Sequence, residues 1–474
     1  MKDELPGTEA ELRQKAEAFG QGRLFAWWPE LNSEERQALL RQIALIDFPL
    51  VQALGEELVR RPAKPAPVEL EPAPIVLLPR TEEERKRERL AAERGEAVLR
   101  QGKVAPLVVA GGQGTRLGFD GPKGAFPIGP ISNKCLFAFF AEKILASQKR
   151  YGRLVPWYVM TSPANDQETR EFFRRQDWFG LSKDQVVFFV QGTMPAVDRE
   201  GKILLAGKGE IALSPDGHGG TLAALARSGA LEDMEDRGIT EISYFQVDNA
   251  FVTMLDPVFI GHHLEAGAEM SSKVLRKAHP EEKLGILGLR DGRLGVIEYS
   301  DLSREDMFAR GPDGELKYWA GSIAIHLIQT AFVRRLQAAG TRLPFHRADK
   351  KVPFVDGRGN RVDPQAPNGI KLESFLFDAL GFARNPVSLE VERRVEFSPV
   401  KNASGPDSPE TARRDLMELH ASWLEAAGGR VPRRPDGSLA VRIELSPLVV
   451  LDRQDALRRF DPPPRIEGDF YLRP

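Results

Sequence analysis

Val104-Ala105-Pro106-Leu107-Val108-Val109-Ala110 runs directly into Gly111-Gly112-Gln113-Gly114-Thr115-Arg116-Leu117-Gly118, with Pro122-Lys123-Gly124 close behind. An apolar run stopped by clustered glycines reads as a buried strand that ends in a tight loop. Adjacent glycines let the backbone come close to a ligand, and a row of free N–H groups makes an anion-binding nest. Arg116 and Lys123 add the positive charge that a polyphosphate needs. Two familiar phosphate loops do not fit. The fingerprint G-x-G-x-x-G counted from Gly112 needs glycine where Leu117 stands, and a Walker A loop needs glycine where Pro122 precedes Lys123.

Further apolar runs follow at Pro156–Thr161, Val186–Gln191 and Ile242–Val247, separated by helical patterns at Asn133–Lys149, Asn165–Gln176 and Thr221–Ala230. Strand–helix alternation predicts an α/β fold: a Rossmann-like, GT-A-type mixed sheet, mostly parallel and flanked by helices. In such sheets the ligand crevice lies at the carboxyl ends of the strands. Upstream, Asn32 and Glu35 have capping-box spacing before Leu39, Leu40, Ile43 and Ile46 recur on one helical face. Prolines between Pro62 and Pro79 read as a stiff extended connector. Thr81 and Glu84 then open a second capped helix to Arg100, whose mixed charges, with pairs Glu82–Lys86 and Glu83–Arg87, read as a solvated face. The last stretch is rich in Pro, Gly and Arg, with β-like segments at Leu439–Leu445 and Leu448–Leu451. The expected organisation is an N-terminal helical region with the Pro-rich connector (1–102), a central α/β domain (103–400) and a small C-terminal β domain (401–474).

Composition narrows the function. The chain has 474 residues, 66 Lys plus Arg against 68 Asp plus Glu, and a net charge of −2. Neither nucleic acid nor an anionic membrane surface can be held by bulk electrostatics at that balance. One cysteine, Cys135, excludes an intrachain disulfide, a cysteine zinc cluster and an iron–sulfur centre. No apolar run approaches the length of a membrane span and the first residues lack a secretory core, so a cytoplasmic location is expected.

Other motifs follow the loop in order: Phe189-Val190-Gln191-Gly192, Pro215-Asp216-Gly217-His218-Gly219-Gly220, Val247-Asp248-Asn249, Val296-Ile297-Glu298-Tyr299-Ser300, Pro367-Asn368-Gly369-Ile370-Lys371 and Phe397-Ser398-Pro399-Val400-Lys401-Asn402. Together with the loop they resemble the eukaryotic-type UDP-N-acetylglucosamine pyrophosphorylase and UDP-sugar pyrophosphorylase family. The resemblance implies transfer of a uridylyl group from UTP to a sugar 1-phosphate, giving a UDP-sugar and pyrophosphate. Both reactants are anions, so the task is positioning and charge neutralisation.

By that resemblance Arg116, Lys123 and Lys371 contact the UTP phosphates, and Lys401 holds the sugar phosphate. Asp248, at the end of an apolar strand, is placed to hold Mg²⁺ against the phosphates; with no carboxylate cluster in sight, the ion is expected to arrive with the nucleotide. Gln191, the backbone of Val109, Ala110, Gly111 and Gly112, and that of Gly217 match the uracil pocket. His218, Glu298, Tyr299, Phe375 and Phe377 match the sugar pocket, although a plain hydrophobic core accounts equally well for the two phenylalanines.

Two departures bear on the sugar. His218 stands where the N-acetylglucosamine enzymes carry asparagine, and resembles the Gly-His-Gly of UDP-glucose pyrophosphorylases. Gly321-Ser322-Ile323-Ala324-Ile325-His326 replaces Gly-Asn-Ile-Ala-Asn-His, losing both asparagines. The leading expectation is N-acetylglucosamine 1-phosphate, with glucose 1-phosphate or a broad range as the alternative. A nucleotide-sugar-binding regulator without catalysis is the rival of a different class. Retention of Arg116, Lys123, Asp248, Lys371 and Lys401 argues against it.

Overall fold

The glycine-terminated strand is central to a ten-stranded mixed sheet. The computed structural model describes residues 7–60 and 69–474. In chain order the sheet strands are β1 (Leu70–Pro72), β2 (Val104–Val109), β3 (Trp157–Thr161), β4 (Val186–Val190), β5 (Glu241–Gln246), β6 (Met270–Arg276), β7 (Ile286–Arg290), β8 (Arg293–Ile297), β9 (Ala320–Gln329) and β10 (Val387–Glu390). The strands read from the sequence form one parallel block, β5-β2-β3-β4, in which Leu107 lies between Tyr244 and Tyr158. β9 flanks β5 antiparallel, β6 joins β9, and β10 lies parallel to β6. Val104 to Val108 are all buried, as continuous apolar strands covered on both faces must be.

The expected helices form at Leu136–Tyr151, Asp166–Arg175 and Gly220–Ser228. Phe137 and Phe140 of the first pack edge-on against Trp157, with Phe173 and Phe245 completing an aromatic layer. Both capping boxes close, Asn32 with Glu35 and Thr81 with Glu84. Glu83–Arg87 pairs at 2.6 Å, but Glu82 pairs with Arg85 and Arg89 rather than Lys86.

Chain contacts define two compact units that depart from the three consecutive segments expected. One contains residues 1–68, 191–221 and 342–378; the other contains 69–190, 222–341 and 379–474. In the first, the N-terminal helices Glu9–Ala18, Ser33–Ala44 and Phe48–Leu54 share a core with Met194, Val197, Ile203, Ile211, Ile370 and Leu372. Their amphipathic faces are therefore covered by segments distant in sequence, which no local pattern reveals. The helix Glu82–Gln101 instead belongs to the sheet unit.

Two further expectations need correction. Residues 61–68 of the proline-rich stretch lie outside the described residues, but Leu70–Pro72 pairs with β7 and Val76 bridges Leu389, so 69–79 joins sheet edges and is more than the stiff extended connector expected. At the C-terminus the β content is one short parallel pair, Ile443–Leu445 with Phe470–Leu472, and the isolated bridges Arg430–Arg465 and Arg433–Leu439, while Leu448–Leu451 forms no strand. The dominant element there is a helix, Pro409–Ala426, capped by Ser408 and burying Leu416, Leu419, His420 and Leu424.

Helices Glu82–Gln101 and Pro257–Glu265 meet through glycine. A Cβ on Gly261 would overlap the Ala91 carbonyl, and one on Gly95 the Pro257 carbonyl. Backbone atoms cannot yield as flexible side chains do, so Gly261→Ala should destabilise the protein by about 1–3 kcal/mol, the range of overpacked cores. Denaturant unfolding measures this, and unchanged stability would show that the helices separate freely.

Candidate active site

In the sheet unit, the loop after β2 is fixed through its carbonyls. Asn165 Nδ2 donates to Ala110 O at 2.8 Å and to Gly112 O at 3.4 Å, Ser162 Oγ donates to Gly111 O at 2.8 Å, and Lys123 N donates to Gly112 O at 3.0 Å. Asn165 is itself held, accepting from Ser162 N at 2.9 Å. The N–H groups of Gly111, Gly112 and Gln113 donate to no described residue. A loop anchored by its acceptors with its donors open is a preformed nest for an anion. Gly118, at φ +67°, turns the chain back, and Gly124 leaves room for the Phe137 ring, which any Cβ would overlap.

Lys123 and Asp248 meet in this unit: Nζ lies 3.9 Å from Oδ2, with both side chains largely buried. Asp248 follows the end of β5, as the strand pattern predicts, and its backbone is tied to the segment that carries Lys401. Val400 N donates to Asp248 O at 2.9 Å, while Asn249 Nδ2 donates to Glu396 O at 2.7 Å and its Oδ1 accepts from Ser398 N at 3.3 Å. Lys401 places Nζ 5.4 Å from the centroid of Phe397. Neither Lys401 nor the exposed Arg116 forms an ion pair among the described residues. Behind these segments Lys273, fully buried, holds Asp256 and Glu396 at 2.7 Å each, and Glu396 accepts from Thr253 N at 3.1 Å. A buried ammonium so paired is costly to unpair, which fixes both segments.

Asp248 supplies one carboxylate, and no group of three metal-ligating side chains occurs among the described residues. That donor set fits a magnesium ion held mainly by phosphate oxygens and water, and does not fit a preformed protein cage.

In the other unit, Gln191 Nε2 donates to Gly217 O at 2.6 Å. This leaves Gln191 Oε1 as an acceptor and the Gly217 N–H as a donor, neither engaged by a described residue. Gly217 sits at φ +85°, and a Cβ there would overlap the Ser374 backbone. The 216–220 turn docks on Ser374 through Ser374 N to Asp216 O at 2.8 Å and Gly219 N to Ser374 O at 2.9 Å. His218 is thereby stacked on Phe375 at 5.3 Å and set edge-on to Phe377 at 5.5 Å. Its Nδ1 accepts from Leu376 N at 3.1 Å, so the neutral ring carries its proton on Nε2. Burial, with a smaller push from His346, lowers its pKa to about 4, which keeps the ring neutral near pH 7. Phe377 is buried and Phe375 only half-buried, sandwiched between His218 and His346. Lys371 lies on the strand Gly369–Ser374, alternating with the buried Ile370 and Leu372.

The family model described as UTP–glucose-1-phosphate uridylyltransferase matches residues 68–460. The chain belongs to this family. It is 42% identical over 444 residues to UDP-N-acetylhexosamine pyrophosphorylase-like protein 1 of Xenopus tropicalis, covering 90% of this chain and 87% of that one. It is 37% identical over 436 residues to the UDP-N-acetylglucosamine pyrophosphorylase of Saccharomyces cerevisiae, covering 87% and 90%. The solved UDP-N-acetylglucosamine pyrophosphorylase of Trypanosoma brucei superposes with a TM-score of 0.80 at 27% identity, covering 99% of each chain. The protein is thus an enzyme, a UTP–sugar-1-phosphate uridylyltransferase.

The remaining sequence-read positions of the uridylyltransferase are less convergent. Glu298 is half-buried and Tyr299 exposed, on the turn after β8. The two departures on β9 differ in environment. Ile325 is buried with Ile323 in the main core, so isoleucine there is a core residue, whereas Ser322 is half-buried. Between them Ala324 takes φ +54° at a bulge in the β6–β9 pairing.

Sequence reasoning missed Asn165 as a site residue, reading it only as a helix start. Its side chain does not cap that helix. Ser162-Pro163-Ala164-Asn165 directly follows β3, which adjoins β2, and polar residues at neighbouring strand ends were the available signal. Asn165→Ala would leave the Ala110 carbonyl unpaired and the loop loose. We expect the KM for UTP to rise by about tenfold, matching the 1–3 kcal/mol of an orphaned buried acceptor. Steady-state kinetics read this directly, and a wild-type KM would contradict the role given to Asn165.

Proposed function

We propose that this uridylyltransferase acts on N-acetylglucosamine 1-phosphate, with the residue roles that follow. The amides of Gly111, Gly112 and Gln113, with Arg116 and Lys123, grip the UTP phosphates, joined by Lys371. The open loop amides are the observation that carries this reading, because they supply donors without any desolvated acceptor beside them. Gln191 Oε1 and the Gly217 N–H offer the acceptor and donor that the uracil imide N–H and a flanking carbonyl need. The resemblance assigns the backbone of Val109 and Ala110 to uracil recognition as well.

Asp248 would hold a magnesium ion, which neutralises phosphate charge when bound. Lys401 holds the sugar phosphate so that its oxygen approaches the α-phosphorus in line, and pyrophosphate leaves from the opposite side. The attacking phosphate is already ionised, so no general base is needed. His218 donates through Nε2–H on the sugar side, with Phe375 and Phe377 as apolar faces and Glu298 and Tyr299 as further sugar contacts.

The sugar assignment is supported by the names of the relatives, which include N-acetylhexosamine and N-acetylglucosamine pyrophosphorylases. Glucose 1-phosphate is the second reading, favoured by one observation: a neutral imidazole donor at 218 replaces an asparagine that could both donate and accept.

A panel of sugar 1-phosphates with UTP and Mg²⁺, read by pyrophosphate release, tests the choice. The expected result is the highest kcat/KM for N-acetylglucosamine 1-phosphate; a preference for glucose 1-phosphate would select the second reading. Lys401→Ala should lower turnover by at least ~10², as the loss of a charge-stabilising group does, with little change in stability. Gln191→Ala should weaken UTP in calorimetry while leaving sugar-phosphate affinity unchanged. Unaltered turnover or UTP affinity would remove each residue from its role.

A further inference from the structure

The chain on the far side of Asn249, Ala250 to Pro257, together with Val395-Glu396, forms one wall of a cavity of about 390 Å³ within the sheet unit. One face of the helix Leu136–Tyr151 and one face of the helix Pro409–Ala426 supply other walls. Phe139, Phe251, Met254, Leu416, Leu419 and Trp423 make the lining apolar. That size and character suit a small organic molecule.

Polar groups interrupt the lining. Its carboxylates are occupied: Glu396 by Lys273 and Thr253 N, Asp256 by Lys273 and Val258 N, and Asp452 by Arg150 and Asp455 N. One donor is only partly so. Lys143 Nζ gives hydrogens to Ala250 O at 2.6 Å and Val252 O at 2.9 Å, which leaves its third, and it has no ion-pair partner among the described residues. Burial pushes its pKa down to about 8, an effect that the Glu396 carboxylate offsets in part and Lys273 adds to. His420, beside it in the lining, is held by the Leu445 and Ile443 backbone, with Nδ1 accepting from Leu445 N at 3.1 Å.

We propose that this cavity is a regulatory site for a small amphipathic carboxylate, whose anionic head is taken by Lys143 and whose apolar body fills the lined space. A cation with a hydrogen to spare complements an anion, and such charge-assisted bonds are the strong ones. A carboxylate on Lys143 competes with the carbonyls of Ala250 and Val252, two and four residues after Asp248. The link to turnover rests on the role proposed for Asp248, whereas the binding itself does not.

The test uses the full-length enzyme with octanoate and 4-phenylbutyrate, which separate an aliphatic from an aryl source, and 1-octanol as the uncharged control. Calorimetry should show one saturable carboxylate site, and tryptophan fluorescence should change with it through Trp423. Lys143→Met should weaken the carboxylate by at least about tenfold and leave 1-octanol unchanged, while Leu419→Trp, which fills the space, should abolish both. Saturation should also change kcat at saturating UTP. Absence of saturable binding of either carboxylate, equal affinity in Lys143→Met, or binding that leaves kcat untouched would overturn the proposal. Leu419→Trp keeps the binding claim decidable if Lys143→Met fails to fold.

Discussion

The anchoring of three successive carbonyls, those of Ala110, Gly111 and Gly112, determines what the loop after β2 can do. A glycine-rich loop left to itself samples many conformations, and gripping a phosphate would cost the entropy of ordering it. Here Asn165, Ser162 and the Lys123 amide hold every acceptor, so the donors are presented with little left to order. The anchor residues come from the end of β3, beside β2, which makes the loop's shape a consequence of parallel strand order. The phosphate binding proposed for the carboxyl ends of the parallel strands thus follows from how the sheet is built.

Charge is organised in two layers around that loop. Lys123, Arg116 and Lys401 remain available to an anionic substrate, with Asp248 the carboxylate near Lys123. Beneath them Lys273, Asp256 and Glu396 are paired with one another, which ties the chain after Asp248 to the chain before Lys401. Removing one partner of such a buried cluster would leave an uncompensated charge, so it holds geometry more firmly than a surface pair could.

The fold was legible in the sequence where the signals are local. Apolar runs gave β2 to β5 and the boxes at Asn32 and Thr81 gave two helix starts, while the family resemblance singled out Asp248, Gln191, His218 and Lys401, whose roles are proposed above. What was not legible depends on contacts between distant segments. The N-terminal helices bury their faces against Met194 and Ile370, and the C-terminal stretch is mainly one capped helix, although its prolines and arginines suggested β structure. Asn165 could not be told from an ordinary helix cap, since its bonds run to residues more than fifty positions away. The two departures on β9 look alike in sequence, yet Ile325 is in the core and Ser322 is not.

A crystal structure of the enzyme soaked with UTP tests the central claim most directly. Phosphate oxygens should lie within hydrogen-bonding distance of the amides of Gly111 to Gln113, with the anchoring bonds from Asn165 and Ser162 unchanged. A triphosphate bound elsewhere, or a loop that must break those bonds to reach it, would contradict the account.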